Sequence, residues 1–150
     1  MNTPSELRQI LALLAKEHRQ LSDAVQDLAT LLAIPTVSTA KILSILQRIS
    51  ITANKHFASE ESVMDDLKYP RLSTHRLNHQ WFQTFIADYQ DGLMSGSIRI
   101  NDDARRNLPN LICFYVGCRD DEFQDWLVAN QGWSQVPVWF RTAQAIVQHL

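Results

Sequence analysis

Glycine is scarce in this sequence, and no long stretch alternates between apolar and polar residues. Only 4 of the 150 residues are glycine, and a half-buried strand would need the missing alternation. These two shortages argue against a β-sheet. The chain has 150 residues, of which 45% are hydrophobic. This is enough for one domain with a substantial core, but the chain is too short for two ordinary domains. We therefore predict an all-α fold.

An excess of charge of one sign is missing, and so is a long apolar run. The 14 basic and 16 acidic residues give a formal net charge of -2, and no basic run offers a footprint for a nucleic acid or an anionic membrane. The N-terminal stretch MNTPSELRQILALLAKEHRQL lacks the features of a signal peptide, and no apolar stretch reaches the length of a membrane span. We expect no nucleic-acid partner, no membrane insertion and a cytoplasmic location.

Cysteine is also rare. The 2 cysteines are Cys113 and Cys118, and their spacing places them on different faces of a helix, unlike a metal-binding or redox pair. Reduced thiols in a cytoplasmic protein fit this usage best.

Apolar residues recur at steps of three and four in three segments, as on the buried face of a bundle helix. The three stripes are Leu7, Leu11, Leu14, His18, Leu21, Val25, Leu28 and Leu32; Ile42, Ile45, Ile49, Ala53, His56, Glu60, Val63 and Leu67; and His75, His79, Phe82, Ile86, Tyr89 and Leu93. Breaks are predicted at AIPTVS, LKYPRLST and GLMSGSIRINDD. Ser38 is a candidate cap for the second helix, and Ser73 or Thr74 for the third.

A fourth helix is predicted to begin at either Asn101 or Pro109 and to continue through Asp120 to about Gly132. Four helices with short loops make an up-down-up-down four-helix bundle over residues 1–132. Residues 133–150, WSQVPVWFRTAQAIVQHL, are predicted to form an additional short amphipathic helix. This C-terminal helix would cap the bundle or link it to a partner or output domain.

In each predicted buried stripe, polar residues replace apolar ones over a short stretch, and these stretches lie at the same level along the bundle axis. His56 and Glu60 are four residues apart on helix two, as are His75 and His79 on helix three. Residues four apart project from the same face, so each pair can converge on a metal ion. Antiparallel topology brings the end of helix two beside the start of helix three, and His18 can reach this layer from helix one.

The fourth helix offers Asp120 to the same layer. Imidazole suits iron, copper and zinc, whereas carboxylates that bridge two ions recur in bundle sites for iron and manganese. The mixed set favours a pair of iron ions. The alternative is a metal-free bundle, in which four buried histidines would each need hydrogen-bond partners within one layer.

This arrangement resembles the hemerythrin family over essentially the whole chain. The family has a histidine in helix one, HxxxE in helix two, HxxxH in helix three and HxxxxD in helix four, and this sequence has EHRQL, HFASEE and YPRLSTHRLNH in the first three places. The resemblance implies two non-haem iron ions joined by carboxylates and by an oxo or hydroxo bridge. The implied ligands are His18 and His56 on one iron, His75 and His79 on the other, and Glu60 and Asp120 as bridges.

Helix four departs from the family pattern, because YVGCRDDEF stands where HxxxxD is expected. Tyr115 occupies the histidine position, five residues before Asp120. Its phenolate could ligate ferric iron, its hydroxyl could hydrogen-bond a bound ligand, or the side chain could pack and leave a coordination position open. An open position would admit solvent and outside ligands, so we expect faster oxidation than in an oxygen carrier.

Dioxygen or another small diatomic molecule is the expected ligand, because no side chain near the predicted ligands reads as a nucleophile or an acid–base pair. We expect an oxygen or redox sensor input domain rather than an enzyme. The resemblance to bacterial hemerythrin domains implies an output partner such as a diguanylate cyclase. The alternatives are a di-iron enzyme with oxidase, peroxidase or nitric-oxide-reducing activity, a simple oxygen-binding or storage protein, and a metal-free interaction bundle.

Other polar and aromatic residues receive structural interpretations. Glu61 is expected on a solvated acidic face, and the tryptophans Trp81, Trp126, Trp133 and Trp139 are expected in the core or in an interface.

Overall fold

Five α-helices make up the part of the chain that the computed structural model describes, residues 4–117 and 120–130. They are α1 (Pro4–Leu32), α2 (Thr39–Asp66), α3 (Leu72–Ser95), α4 (Asp102–Gly117) and α5 (Asp120–Asn130). The described ranges contain no strand, so the prediction of an all-α four-helix bundle is confirmed. The C-terminal helix predicted at 133–150 lies outside the described residues. Within the two ranges, no helix is long and apolar enough to cross a membrane.

Helices α1 to α4 form a ring in which sequence neighbours are also spatial neighbours. Helix α1 packs against α2 and α4, and α3 packs against the same two helices. Short loops join the four long helices, so consecutive helices run in opposite directions. At the first loop, the Ser38 hydroxyl accepts a hydrogen bond of 3.3 Å from the Lys41 backbone N–H. The predicted cap of α2 is therefore confirmed.

The turn between α2 and α3 is tight. Lys68 adopts a left-handed backbone conformation with φ 57°, and its N–H donates to the Asp65 carbonyl over 3.0 Å. The Tyr69 N–H donates to the Met64 carbonyl over 2.8 Å. These two bonds satisfy carbonyls that the end of a helix otherwise leaves unpaired. The chain reverses within a few residues, so the start of α3 lies beside the end of α2.

The start of α3 differs from the prediction. The residue that precedes the helix is Arg71, which makes no side-chain capping bond. Ser73 and Thr74 lie inside the first turn of α3, so the prediction that one of them caps this helix is wrong. The earlier start places His75 in the first turn of α3, close to the last turns of α2.

The predicted fourth helix is described as two elements, α4 and α5. Of the two predicted starts, the structure has the one near Asn101, whose side-chain oxygen accepts a hydrogen bond of 2.8 Å from the Ala104 N–H. Pro109 lies inside α4. Arg105 ties α4 to the loop after α1, because its guanidinium donates to the Leu32 and Ile34 carbonyls over 2.6 and 2.9 Å.

Two apolar clusters fill the two ends of the bundle. One contains Leu21, Ala24, Val25, Leu28, Leu32, Ile42, Leu46, Ile49, Ala53, Phe57, Phe82, Ile86, Leu93, Leu108, Ile112 and Val116. The other contains Leu7, Leu11, Leu14, Ala15, Val63, Met64, Tyr69, Phe123 and Leu127. Where they meet is a set of buried polar residues, here called the polar layer: Glu17, His18, Ser22, His56, Glu60, His75 and His79.

Candidate metal centre

The polar layer contains a compact group made by α2 and α3. The Glu60 Oε2 atom lies 2.9 Å from His75 Nε2 and 3.2 Å from His79 Nε2. One ligand atom from each of these three buried residues lies within 4.8 Å of the others. The helical spacing of four residues, together with the tight turn between the helices, brings the two histidines onto Glu60. The structure thus brings together three of the predicted ligands.

The other two predicted histidines come together on the α1 side of the layer. The ring centroids of His18 and His56 are 5.5 Å apart, with the rings at 68° to each other. Both ring nitrogens of His56 are buried and have no hydrogen-bond partner among the described residues. A buried polar atom is normally satisfied, so either nitrogen fits a metal ligand. The donor set of imidazole and carboxylate also suits iron and zinc.

The charge states of two residues in the polar layer favour the binding of a cation. Burial, followed by the neighbouring His56, lowers the pKa of His18 to about 4. His18 is therefore neutral at pH 7, which is the form that binds a metal. Burial alone would raise the pKa of Glu60, but hydrogen bonds with His75 and His79 bring that pKa well below its usual value. At neutral pH the layer offers an ionised carboxylate beside a neutral imidazole.

Glu17 is a buried carboxylate that the sequence analysis missed. Its Oε2 atom lies 3.8 Å from His56 Nδ1, and its Oε1 atom lies 3.7 Å from Lys55 Nζ. The interaction with His56 lowers the pKa of Glu17, although burial opposes that shift. A sequence signal for its burial does exist, because Glu17 lies three residues after Leu14 and four before Leu21, within the buried stripe of α1.

Glu61 also contacts the layer, so its assignment to a solvated acidic face is wrong. Its side chain is 25% exposed, and its Oε1 atom lies 2.7 Å from His79 Nδ1. The other oxygen accepts a hydrogen bond of 3.1 Å from Arg76 Nε. Glu61 therefore lies on the outer side of the His79 ring, opposite Glu60.

Aromatic packing holds the His79 ring from the apolar side. The Phe57 ring is stacked on it, with a centroid distance of 3.8 Å and an interplanar angle of 9°. Phe82 meets Phe57 edge to face at 5.5 Å. Both phenylalanines are buried, so this side of the layer is closed to water by the core.

Comparison with known proteins agrees with this geometry. Over 115 residues the chain is 23% identical to a protein named bacteriohemerythrin from Stenotrophomonas maltophilia (strain R551-3), covering 77% of this chain and 73% of that protein. The chain is thus similar to a bacteriohemerythrin. The relationship is distant. No family model matches the chain, and no solved structure matches it.

Tyr115 belongs to α4, and its ring contacts α3. Its ring centroid is 5.5 Å from that of Phe85, and it lines a surface groove with residues that include Trp81 and Asp88. Tyr115 and Phe85 are also partly buried against the apolar cluster that contains Ile86 and Ile112, so the contacts described for Tyr115 are with aromatic and apolar side chains. Trp81 is 68% exposed, which excludes the core for this residue; its position in an interface stays a prediction.

The remaining predicted ligand is Asp120. It is the first residue of α5, and its side chain lies outside what the structure describes. Its backbone lies at the level of the polar layer, because Val116 belongs to one apolar cluster and Phe123 to the other. The assignment of Asp120 as a bridging carboxylate therefore stays a prediction.

Proposed function

We propose that the polar layer holds two non-haem iron ions and that the protein binds dioxygen or another small diatomic ligand there. The observation that carries this proposal is the convergence of Glu60, His75 and His79 to within 4.8 Å inside a buried layer. The similarity to a bacteriohemerythrin supports iron as the metal and oxygen as the ligand.

The proposed ligand set divides into two halves around Glu60. His75 and His79 would hold one iron, and His18 and His56 would hold the other. The Glu60 carboxylate would bridge the two halves, and Asp120 is the proposed second bridge. When bound, the iron pair supplies the electrons for binding or reducing dioxygen. The chain itself contributes imidazole donors, a negative charge at the bridge, and the Phe57 side chain that excludes water.

We propose further that the domain acts as a sensor of oxygen or redox state rather than as an oxygen carrier. The support is Tyr115, which stands at the family's histidine position and packs against Phe85. One iron would then have one imidazole fewer than the family pattern gives. That position would admit outside ligands and favour oxidation. An output partner such as a diguanylate cyclase is part of this proposal and rests on the resemblance to bacterial hemerythrin domains.

The experiment that tests the centre is anaerobic loading with ferrous iron, followed by metal counting and absorption spectra recorded over time after oxygen is added. The proposal expects two irons per chain and near-ultraviolet charge-transfer bands that grow as the pair oxidises. One iron per chain would refute the pair, and no bound iron would refute the iron centre. A slow and fully reversible spectral change would contradict the sensor and favour a carrier.

A further inference from the structure

Two of the proposed metal-binding imidazoles have a carboxylate on their outer side. His79 has Nε2 facing Glu60 at 3.2 Å and Nδ1 facing Glu61 at 2.7 Å. His56 has Nδ1 facing Glu17 at 3.8 Å, and neither of its buried ring nitrogens has a hydrogen-bond partner among the described residues. In both rings Nδ1 is therefore the nitrogen next to the outer carboxylate.

Each outer carboxylate is itself held by a cation at the surface. Lys55 Nζ lies 3.7 Å from Glu17, and Arg76 Nε donates to Glu61 over 3.1 Å. The same order of groups, cation then carboxylate then imidazole, thus occurs on both sides of the centre. An ionised carboxylate can only accept hydrogen bonds.

We propose that Glu17 and Glu61 are positioning residues of the metal centre, an inference that rests on the proposed function. A neutral imidazole has one N–H and one lone pair. A carboxylate beside Nδ1 fixes the proton there and leaves the lone pair on Nε2 for a metal ion. The same contact fixes the ring orientation and makes the imidazole a stronger donor.

The two carboxylates differ in the strength of this effect. The Glu61 contact is a hydrogen bond, whereas the 3.8 Å between Glu17 and His56 exceeds hydrogen-bond length. Glu61 is thus the stronger positioning residue, and its contribution falls on the half of the centre that contains His75 and His79.

Cobalt(II) binding tests this inference without any oxygen chemistry. The variants are Glu61→Gln and Glu17→Gln, which keep the shape and remove the charge. The matched control is Asp27→Asn, which removes a carboxylate from an exposed ion pair with Arg48 that also joins α1 to α2. We measure the cobalt dissociation constant of each protein and, by paramagnetic NMR, the exchange of the imidazole N–H protons.

Glu61→Gln is expected to raise the cobalt dissociation constant by about 10- to 100-fold and to speed exchange of one imidazole N–H. Glu17→Gln should have a smaller effect in the same direction, and Asp27→Asn should match the parent. Parent-like affinity and N–H exchange in Glu61→Gln would overturn the inference and leave the metal centre intact. Failure of the unaltered protein to bind either cobalt or ferrous iron would overturn both proposals. If the buried substitution at Glu17 lowers helicity, Glu61→Gln decides the question, because its side chain is partly exposed.

Discussion

Acid should destabilise the metal-free protein through His18. Burial lowers the pKa of His18 from 6.5 to about 4, so the folded state binds fewer protons than the unfolded state between these two values. The contribution of His18 to the free energy of unfolding is then constant well above pH 6.5, and the free energy of unfolding falls as the pH drops from 6.5 to about 4. For a shift of this size, the loss at pH 4 is roughly 3 kcal/mol. Such a loss is large beside the total stability of about 5–15 kcal/mol of a typical domain.

Urea unfolding of the metal-free protein at several pH values measures this loss. Glu60 also loses charge in acid, so the quantity that isolates His18 is the difference between the parent and His18→Gln. The parent should lose roughly 3 kcal/mol more than the variant between pH 7 and pH 4. Equal losses in the two proteins would refute the argument that a buried neutral imidazole dominates this part of the acid response.

Three further predictions concern the centre and the turn beside it. Glu60→Ala should abolish the paired iron site, because it removes the carboxylate that both His75 and His79 contact; two irons per chain by metal analysis would contradict its bridging role. Tyr115→Phe should leave iron content and the visible spectrum unchanged, because the ring packs against Phe85; loss of a visible charge-transfer band would instead indicate a phenolate ligand. Lys68→Gly should raise the free energy of unfolding by roughly 0.5–1 kcal/mol, because glycine adopts a left-handed conformation without steric cost. Chemical denaturation measures this gain, and Lys41→Gly inside α2 is the control that should lower stability.

The sequence predicts the helices and the height of the site because both depend on local spacing. His56 and Glu60 share a helical face whatever the partner helix does, and so do His75 and His79. The antiparallel direction of α2 and α3 follows from the short connection between them. These features need only helical periodicity and loop length.

Other features depend on contacts between helices, which spacing does not reveal. Glu61 lies next to Glu60 in the sequence, and only the packing of α3 brings His79 Nδ1 within 2.7 Å of it. The turn before α3 contains Lys68 in a left-handed conformation, which is unusual for a residue with a side chain. The sequence pattern therefore predicts Ser73 or Thr74 as the cap, although the helix begins before them. Glu17 could have been found, because it lies within the buried stripe of α1.

The polar layer also limits how the helices can be aligned. Apolar clusters lie on both sides of it, and leucine and isoleucine side chains would allow neighbouring helices to slide past each other by one turn, about 5.4 Å. Such a slide would carry the Glu60 carboxylate away from His75 and into an apolar cluster, where an unpaired charge costs several kcal/mol. The residues that could hold the metal thus also fix the register of the helices. They allow only one alignment of the helices along the bundle axis, even before an ion binds.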